Sequence, residues 1–219
     1  MKKKTRKLYL VRHGESVCNV ERRVQGNSMR NSLSERGKRQ SELLGRRLAS
    51  FEFGKVYCSN VERAIETAGI ALGGKADLTY LDELREVSFG SWEGRLISEI
   101  KESEPGIVEE WFYKPASVSI EGAEDLYSFR ERVVGIFNRI IEDDDGKNIL
   151  VISHGGVICV YLTCILGMDL NNMWSFSLPN ASITSIVLDF RPRLRLFGDT
   201  SYLDSDALGF DGMPAAHDT

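Results

Sequence analysis

The chain of 219 residues is 42% hydrophobic and 27% charged, and its 28 Lys and Arg against 32 Asp and Glu give a formal net charge of −4. These proportions are typical of a globular protein with a sizeable buried core, and they exclude intrinsic disorder and collagen-like repeats. Because general nucleic-acid binding depends on a basic surface, the acidic balance also argues against a nucleic-acid partner.

Neither a membrane span nor a secretion signal is expected. The longest apolar run, residues 157–168, is shorter than the roughly 20 residues that cross a bilayer, and the basic start of the chain is followed by an apolar stretch of residues 8–11 alone. The four cysteines form no C-x-x-C pair, which favours reduced, mostly buried thiols. We therefore expect a cytoplasmic protein with no membrane partner.

Alternating strand and helix patterns predict an α/β fold. Short apolar runs predict strands at residues 7–11, 55–58 and 148–152, and each is followed by a helical pattern, at residues 34–50, 60–72 and 155–167. A longer amphipathic helix is predicted at residues 124–143, a short helix near residues 96–102, and a further strand, a candidate for the sheet edge, at residues 182–190. This order predicts a largely parallel sheet covered by helices on both faces.

A change of composition near the C-terminus suggests where the folded domain ends. From Asp199 onward the chain carries acidic residues and no Lys or Arg, together with Gly209, Gly212 and Pro214. We predict one domain over residues 1–198, with no linker or internal repeat, and a loosely ordered acidic tail over residues 199–219. His217, in that tail, has no evident role.

Two of the predicted strands end on a histidine followed by glycine. The first runs into Arg12-His13-Gly14, and the third runs into Ser153-His154-Gly155. Ligands of open α/β sheets bind beyond the carboxyl ends of the strands, so both histidines are expected in one site. The following glycine allows close backbone approach, and the next helix directs its N–H groups at the same place, which favours an anion.

The other predicted strand leads into a helix whose first turn carries Arg63. Arg63 and Arg12 are suited to bidentate contact with phosphate oxygens. With no metal required, His13 would attack phosphorus, while the two arginines and a cationic His154 stabilise the equatorial oxygens. These cations would lower the pKa of His13 and favour its neutral, nucleophilic form.

The leaving alkoxide in such a reaction needs a proton from a carboxylic acid. Acidic residues crowd residues 81–94, and the candidates are Asp82, Glu83, Glu86 and Glu93. Their spacing alone does not choose among them.

Four sequence blocks resemble a known family. They are Arg12-His13-Gly14-Glu15-Ser16, then Ser59 with Arg63-Ala64 and Thr67, then residues 84–94 with the pattern LRE…FG…WEG, then Ser153-His154-Gly155-Gly156. Their order is similar to that of the histidine phosphatase superfamily, which includes the cofactor-dependent phosphoglycerate mutases, and the resemblance runs from about residue 8 to about residue 188.

The resemblance implies a phosphoglycerate mutase-like, three-layer α/β/α sandwich with a mostly parallel central sheet. It also implies a phosphohistidine on His13, a phosphate pocket of Arg12, Arg63 and His154, and Glu86 as the proton donor. Asn19 and Gln25 match positions that line the pocket in relatives, with Gly26 and Gly155 as further contacts. No cofactor or metal is implied.

Within this family the substrate-choosing loop departs from the usual pattern. Residues 25–34 are one residue longer and lack the usual aspartate and proline, and the segment between Glu86 and His154 is shorter than in the mutases and offers few cations. We therefore predict a histidine acid phosphatase-type phosphomonoesterase that acts on a small phosphorylated metabolite.

Several alternatives remain open at this point. The first is a cofactor-dependent phosphoglycerate mutase, and the second is an inactive binding or regulatory module on the same fold. A metallohydrolase is disfavoured, because no H-x-x-x-H spacing occurs and arginines would repel a metal cation. The aromatic residues Trp111, Phe112 and Tyr113 either cap the pocket or pack a helix on the sheet. The oligomeric state is open.

Overall fold

A six-stranded sheet organises the chain in the computed structural model, which describes residues 6–28, 30–74, 76–143 and 147–208. The strand order is β3-β2-β4-β1-β5-β6. The strands are β1 Arg6–Arg12, β2 Phe53–Ser59, β3 Leu78–Leu81, β4 Asn148–Ser153, β5 Ile183–Leu188 and β6 Arg193–Asp199. The pairs β1–β4, β2–β3 and β2–β4 are parallel, whereas β5 runs antiparallel to both β1 and β6.

Helices cover both faces of the sheet. They are α1 Val17–Val20, α2 Glu35–Leu48, α3 Glu62–Leu72, α4 Ile97–Ser103, α5 Pro105–Tyr113, α6 Leu126–Glu142 and α7 Gly155–Leu166. Because side chains alternate along a strand, Leu8 and Leu10 of β1 pack with α6 and α7, while Tyr9 and Val11 pack with α2 and α3. The three-layer α/β/α sandwich with a mostly parallel sheet is thus confirmed.

Local signals account for where the predicted helices begin. Ser34 accepts a hydrogen bond from the Gly37 amide at the start of α2, and Asp125 accepts one from the Ser128 amide at the start of α6. Glycine in the left-handed conformation follows α7, where Gly167 has φ +67°. These caps lie within a few residues of the predicted helix boundaries.

The strand predicted at residues 182–190 was expected at the edge of the sheet, and this position is wrong. β5 is an interior strand, because β6 pairs with its outer side and occupies the edge. The side chains of β6 alternate between exposed and half-buried, so this strand lacks the apolar run that marked the others. β3, four residues long and without a buried side chain, was missed for the same reason.

The prediction of a loosely ordered tail is also wrong for the part of it that the structure describes. Asp199 is the last residue of β6, and the following residues pack on α2, where Leu203 and Ala207 are buried against Leu43. Gln40 donates a hydrogen bond from Nε2 to the Ala207 carbonyl at 2.9 Å. Two apolar side chains thus anchor an otherwise acidic segment to α2. Residues 209–219 of the predicted tail lie outside the described residues.

Two further observations concern the described ranges. None of their helices is long and apolar enough to span a bilayer. All four cysteines are free, and burial raises the pKa of the Cys58 and Cys159 thiols to about 12. Such thiols are protonated and unreactive at neutral pH.

Candidate active site

The carboxyl ends of β1, β2 and β4 bring the predicted residues together. Arg12, at the end of β1, pairs in register with Ser153 at the end of β4, so His13 and His154 follow side by side. The two imidazole rings have centroids 5.2 Å apart. β2 ends at Ser59, and Arg63 follows in the first turn of α3.

The contacts of His13 orient its ring and fit the tautomer that carries its proton on Nδ1. Its Nδ1 lies 2.7 Å from the Gly14 carbonyl oxygen, and this contact is a hydrogen bond when Nδ1 carries the proton. Its Nε2 then accepts a hydrogen bond from Nε of Arg63 at 3.2 Å. The pKa of His13 lies well below its usual 6.5, because burial disfavours the charged form and Arg63 and Arg12 repel it, although the Gly14 contact acts in the opposite direction.

His154 is fully buried behind His13. Its Nε2 lies 2.8 Å from the Ser59 hydroxyl, whereas its buried Nδ1 has no hydrogen-bond partner among the described residues. Burial, followed by repulsion from Arg63, His13 and Arg12, lowers the pKa of His154 well below 6.5. The positive charge of the site in this structure therefore comes from the arginines. A cationic His154 beside a bound phosphoryl group stays a prediction.

The two arginines are buried at the same place. Arg63 is 1% exposed and donates from Nη2 to the Gly26 carbonyl at 2.8 Å and from Nη1 to the Ser28 carbonyl at 3.3 Å. Burial lowers the pKa of Arg63 to about 10, which leaves it charged at neutral pH. Arg12 is 9% exposed and donates from Nη1 to the Leu178 carbonyl. Gly155 packs against Arg12, since a Cβ at this glycine would lie 3.6 Å from Nε of Arg12.

Asn19 and Gln25 belong to a polar network around Ser16. The Asn19 side-chain oxygen accepts from the Ser16 amide at 3.1 Å, and the Gln25 side-chain oxygen accepts from Asn31 Nδ2 at 2.5 Å. With their oxygens used in this way, both amides have their NH₂ ends for donation to an anion. Sequence reasoning missed Asn31 and Asn180, which donates to the His13 carbonyl at 3.2 Å.

Of the four acidic candidates, Glu86 is the one that lines the cleft containing His13. Its Oε2 accepts a hydrogen bond from the Gly156 amide at 2.9 Å, in the first turn of α7. Glu93 instead accepts from the Phe89 amide at 2.9 Å and from the Ser88 hydroxyl at 3.0 Å, which gives it a structural role. Glu83 pairs with Arg139 at 2.8 Å, and Asp82 pairs with Arg85 at 3.1 Å.

Arg132 of α6 supports the segment that carries Glu86. It donates from Nη1 to the carbonyls of Glu83 and Arg85 at 2.8 and 2.9 Å, and it forms a bidentate ion pair with Glu124. Ser153 adds a hydrogen bond to the Leu84 carbonyl at 2.7 Å. No sequence signal in the chain distinguishes Arg132 from other surface arginines of a helix.

The cleft itself has two unlike ends. Its charged end consists of Arg12, His13, Arg63 and Glu86, with Asn19, Gln25 and Gly26 beside them. The other end is formed mainly by apolar side chains of α4, α5 and residues 89–92. His154 and Gly155 do not line the cleft but contact residues that do. Within the described ranges, no group of three or more His, Cys, Asp or Glu side chains is arranged to hold a metal ion.

This arrangement is suited to a tetrahedral dianion placed beside a neutral imidazole. Two buried guanidinium groups provide the opposite charge, and an oriented Nε2 lone pair provides the nucleophile. Fold and site together thus define an α/β protein with a buried cationic pocket and two neutral histidines at strand ends, an arrangement suited to binding a phosphoryl group.

Comparison with known proteins identifies the family. The family model of the histidine phosphatase superfamily, branch 1, matches residues 8–200. Phosphoserine phosphatase 1 of Hydrogenobacter thermophilus is 34% identical over 186 residues, which cover 84% of this chain and 88% of that protein. A probable phosphoglycerate mutase, GpmB of Cronobacter sakazakii, is 31% identical over 208 residues, which cover 92% and 96%.

A solved structure supports the same family assignment. That of Bacillus stearothermophilus YhfR superposes with a TM-score of 0.84 at 32% identity, covering 90% of this chain and 98% of that one. The chain therefore belongs to the histidine phosphatase superfamily.

Proposed function

We propose that this protein is a cytoplasmic, metal-independent phosphomonoester hydrolase that acts on a small phosphorylated metabolite through a phosphohistidine on His13. The observation that carries the proposal is the state of His13. Its Nδ1 proton is engaged by the Gly14 carbonyl, and its Nε2 lies against the guanidinium of Arg63 in the cleft. A neutral imidazole of this tautomer is a competent nucleophile once a bound phosphoryl oxygen accepts the Arg63 N–H in place of Nε2.

The reaction has two balanced steps. In the first, Nε2 of His13 forms a bond to phosphorus, the bond from phosphorus to the ester oxygen breaks, and Glu86 gives its proton to the leaving alkoxide. In the second, Glu86 accepts a proton from water, whose oxygen attacks phosphorus, and the P–N bond breaks. Inorganic phosphate leaves and His13 is restored, while Arg12 and Arg63 stabilise the equatorial oxygens in both steps.

Water is the proposed acceptor rather than a phosphoglycerate. The length of the segment after Glu86 does not decide this point, because the relative named probable phosphoglycerate mutase GpmB aligns over 96% of its own length. The cleft lining supports water instead. Among the described residues that line it, Arg23 is the one cation outside the phosphate-binding end, and it is paired with Glu21 at 2.9 Å. A second anionic group on the substrate thus has little to bind.

Release of phosphate from p-nitrophenyl phosphate in the presence of EDTA tests the hydrolase directly. We expect activity to survive the chelator and an acid-labile, base-stable phosphoenzyme to be trapped. His13→Ala is expected to show neither phosphate release nor a phosphoenzyme. Tyr113→Ala is the control variant, because Tyr113 is an exposed residue of α5. Loss of activity with EDTA would contradict the proposal, and absence of any phosphoenzyme would favour an inactive binding module.

The mutase alternative is tested in the same experiment series. Incubation with 3-phosphoglycerate is expected to give phosphate and glycerate without the 2-phospho isomer. Accumulation of that isomer faster than phosphate would establish a mutase.

A further inference from the structure

The apolar end of the cleft has no part in the chemistry described above. Ile97 and Ile100 of α4 and Phe112 of α5 line it, together with Trp92 and Phe89. These side chains line the same cleft as His13, so a group attached to a phosphoryl unit bound beside His13 can extend against them. This apolar wall is therefore a candidate contact surface for the organic part of the substrate.

The polar edge of Trp92 is already paired, and two other rings of the wall pack against each other. The indole N–H of Trp92 donates to Glu104 at 3.0 Å, and Arg95 holds the same carboxylate at 2.7 Å. Trp111 packs edge-on against Phe89, with ring centroids 5.2 Å apart and planes at 70°. Trp92, Ile100 and Trp111 are each less than a tenth exposed, so the wall is preformed and rigid.

Polar partners for a substrate are scarce at this end. Arg23 is its one charged side chain among the described lining residues, and it already donates to Glu21 and, at 2.8 Å, to the Gly94 carbonyl. A carboxylate, an ammonium group or a set of sugar hydroxyls placed here would lose hydration without gaining matched hydrogen bonds. An apolar group would gain from leaving water.

We propose that the substrate is a phosphomonoester whose organic part is apolar, an alkyl or aryl group, and that the wall of α4 and α5 selects it. This inference rests on the proposed hydrolase function. It assigns Ile97 and Phe112 a role in specificity, through contact with the substrate chain.

A series of n-alkyl phosphates provides the test. Ethyl, butyl and hexyl phosphate have leaving alcohols of similar acidity, so differences in kcat/KM report contacts with the chain. We expect kcat/KM to rise along the series, by up to about 4-fold for each methylene that becomes buried. The kcat/KM values for hexyl and benzyl phosphate should be higher than those for O-phosphoserine and 3-phosphoglycerate.

Variants of the wall show whether these contacts cause the preference. Ile97→Ala and Phe112→Ala are expected to lower kcat/KM for hexyl phosphate by roughly 10-fold, and to lower that for O-phosphoserine much less, because its short polar chain makes fewer apolar contacts with the wall. Retained phosphoserine hydrolysis also shows that each variant folds. Ile107→Ala is the matched control, because Ile107 lies on α5, is 36% exposed and does not line the cleft.

The possible results separate this inference from the function on which it rests. A flat alkyl series, or preference for phosphoserine or phosphoglycerate, would overturn the apolar assignment while the hydrolase stands. Equal losses on hexyl phosphate and phosphoserine in the variants would overturn the role of the wall. If no phosphomonoester is hydrolysed and no phosphoenzyme forms, the proposed function itself fails.

Discussion

His13 and His154 are two neutral bases placed among cations, and this determines how the site responds to a ligand. In the unliganded protein, burial and the arginines hold the pKa of both histidines well below 6.5. A phosphate dianion bound in the proposed site would offset the charge of the two guanidinium groups, and this would raise both pKa values. The buried Nδ1 of His154 has no partner among the described residues, so a dianion that reaches it would gain a hydrogen bond.

The titration of the two histidines tests this description. In ¹⁵N-labelled protein without phosphate, we expect both imidazoles to stay neutral when the pH falls through the usual histidine value of 6.5. Vanadate should shift the His154 titration toward higher pH. Titration of either ring near 6.5 in the unliganded protein would contradict the electrostatic argument.

Glu86 is expected to act as the proton donor, and its role depends on the leaving group. For Glu86→Gln we expect a loss of roughly 10²- to 10⁴-fold in kcat on ethyl phosphate, because alkoxide departure needs a proton. The loss on p-nitrophenyl phosphate should be much smaller, since its leaving group departs as a stabilised anion. Steady-state rates on the two substrates provide the measurement, and equal losses would remove Glu86 from this role.

Single residues show how far the sequence predicts the site. Because Arg12, His13 and His154 stand at predicted strand ends, the sequence predicts that they lie together, and the family resemblance adds Glu86. Asn180 was beyond prediction, because it contacts His13 across a separation of 167 residues that depends on β5 lying next to β1. Arg132 was missed for a similar reason, since its partners are backbone carbonyls of a distant loop.

At the scale of elements, α6 and α7 together fix the loop that carries Glu86. Arg132 of α6 holds two of its carbonyls, and the first turn of α7 holds the Glu86 carboxylate through the Gly156 amide. The close approach leaves no room for a side chain at residue 156, where a Cβ would lie 2.3 Å from Glu86 Oε1.

Gly156→Ala is therefore expected to displace the Glu86 carboxylate while the fold survives, because the end of a flexible side chain can move aside. Its activity profile should resemble that of Glu86→Gln, with a larger loss on ethyl phosphate than on p-nitrophenyl phosphate. Gly135→Ala in α6 is the control, since a Cβ there meets nothing within 4 Å. It should raise stability by about 0.5–1 kcal/mol. An unchanged profile for Gly156→Ala would show that Glu86 does not need this position.

Elements with a strong hydrophobic period were predicted well, and those without one were not. The apolar face of α6 and the buried runs of β1 and β4 are legible because burial on one or both faces fixes their composition. β3 and β6 lie at the two edges of the sheet, where half-exposed side chains leave no such pattern.

For the whole molecule, the buried histidines link stability to pH. Unfolded histidines take up protons near pH 6.5, whereas the native ones remain neutral to a lower pH. The unfolded state thus binds more protons below 6.5, and the free energy of unfolding falls as the pH decreases from there, by at most about 1.4 kcal/mol per pH unit for each histidine.

Urea unfolding from about pH 7.5 to about pH 5 measures this dependence. The variant His13→Asn lacks one of the two groups, so its stability should fall less steeply than that of the wild type over the same range. Comparison of the two chains removes the contribution of the carboxylates that they share. Identical slopes would show that His13 is not held neutral in the native state.

The central position of β1 also has a consequence for how the protein is made. β1, which carries Arg12, precedes the other described strands in the chain, yet its neighbours in the sheet are Asn148–Ser153 and Ile183–Leu188. Pairings so distant in the chain close large loops and slow folding. On the ribosome, the ends of β1 and β4 therefore cannot bring His13 and His154 together until Asn148–Ser153 has emerged, long after β1 itself.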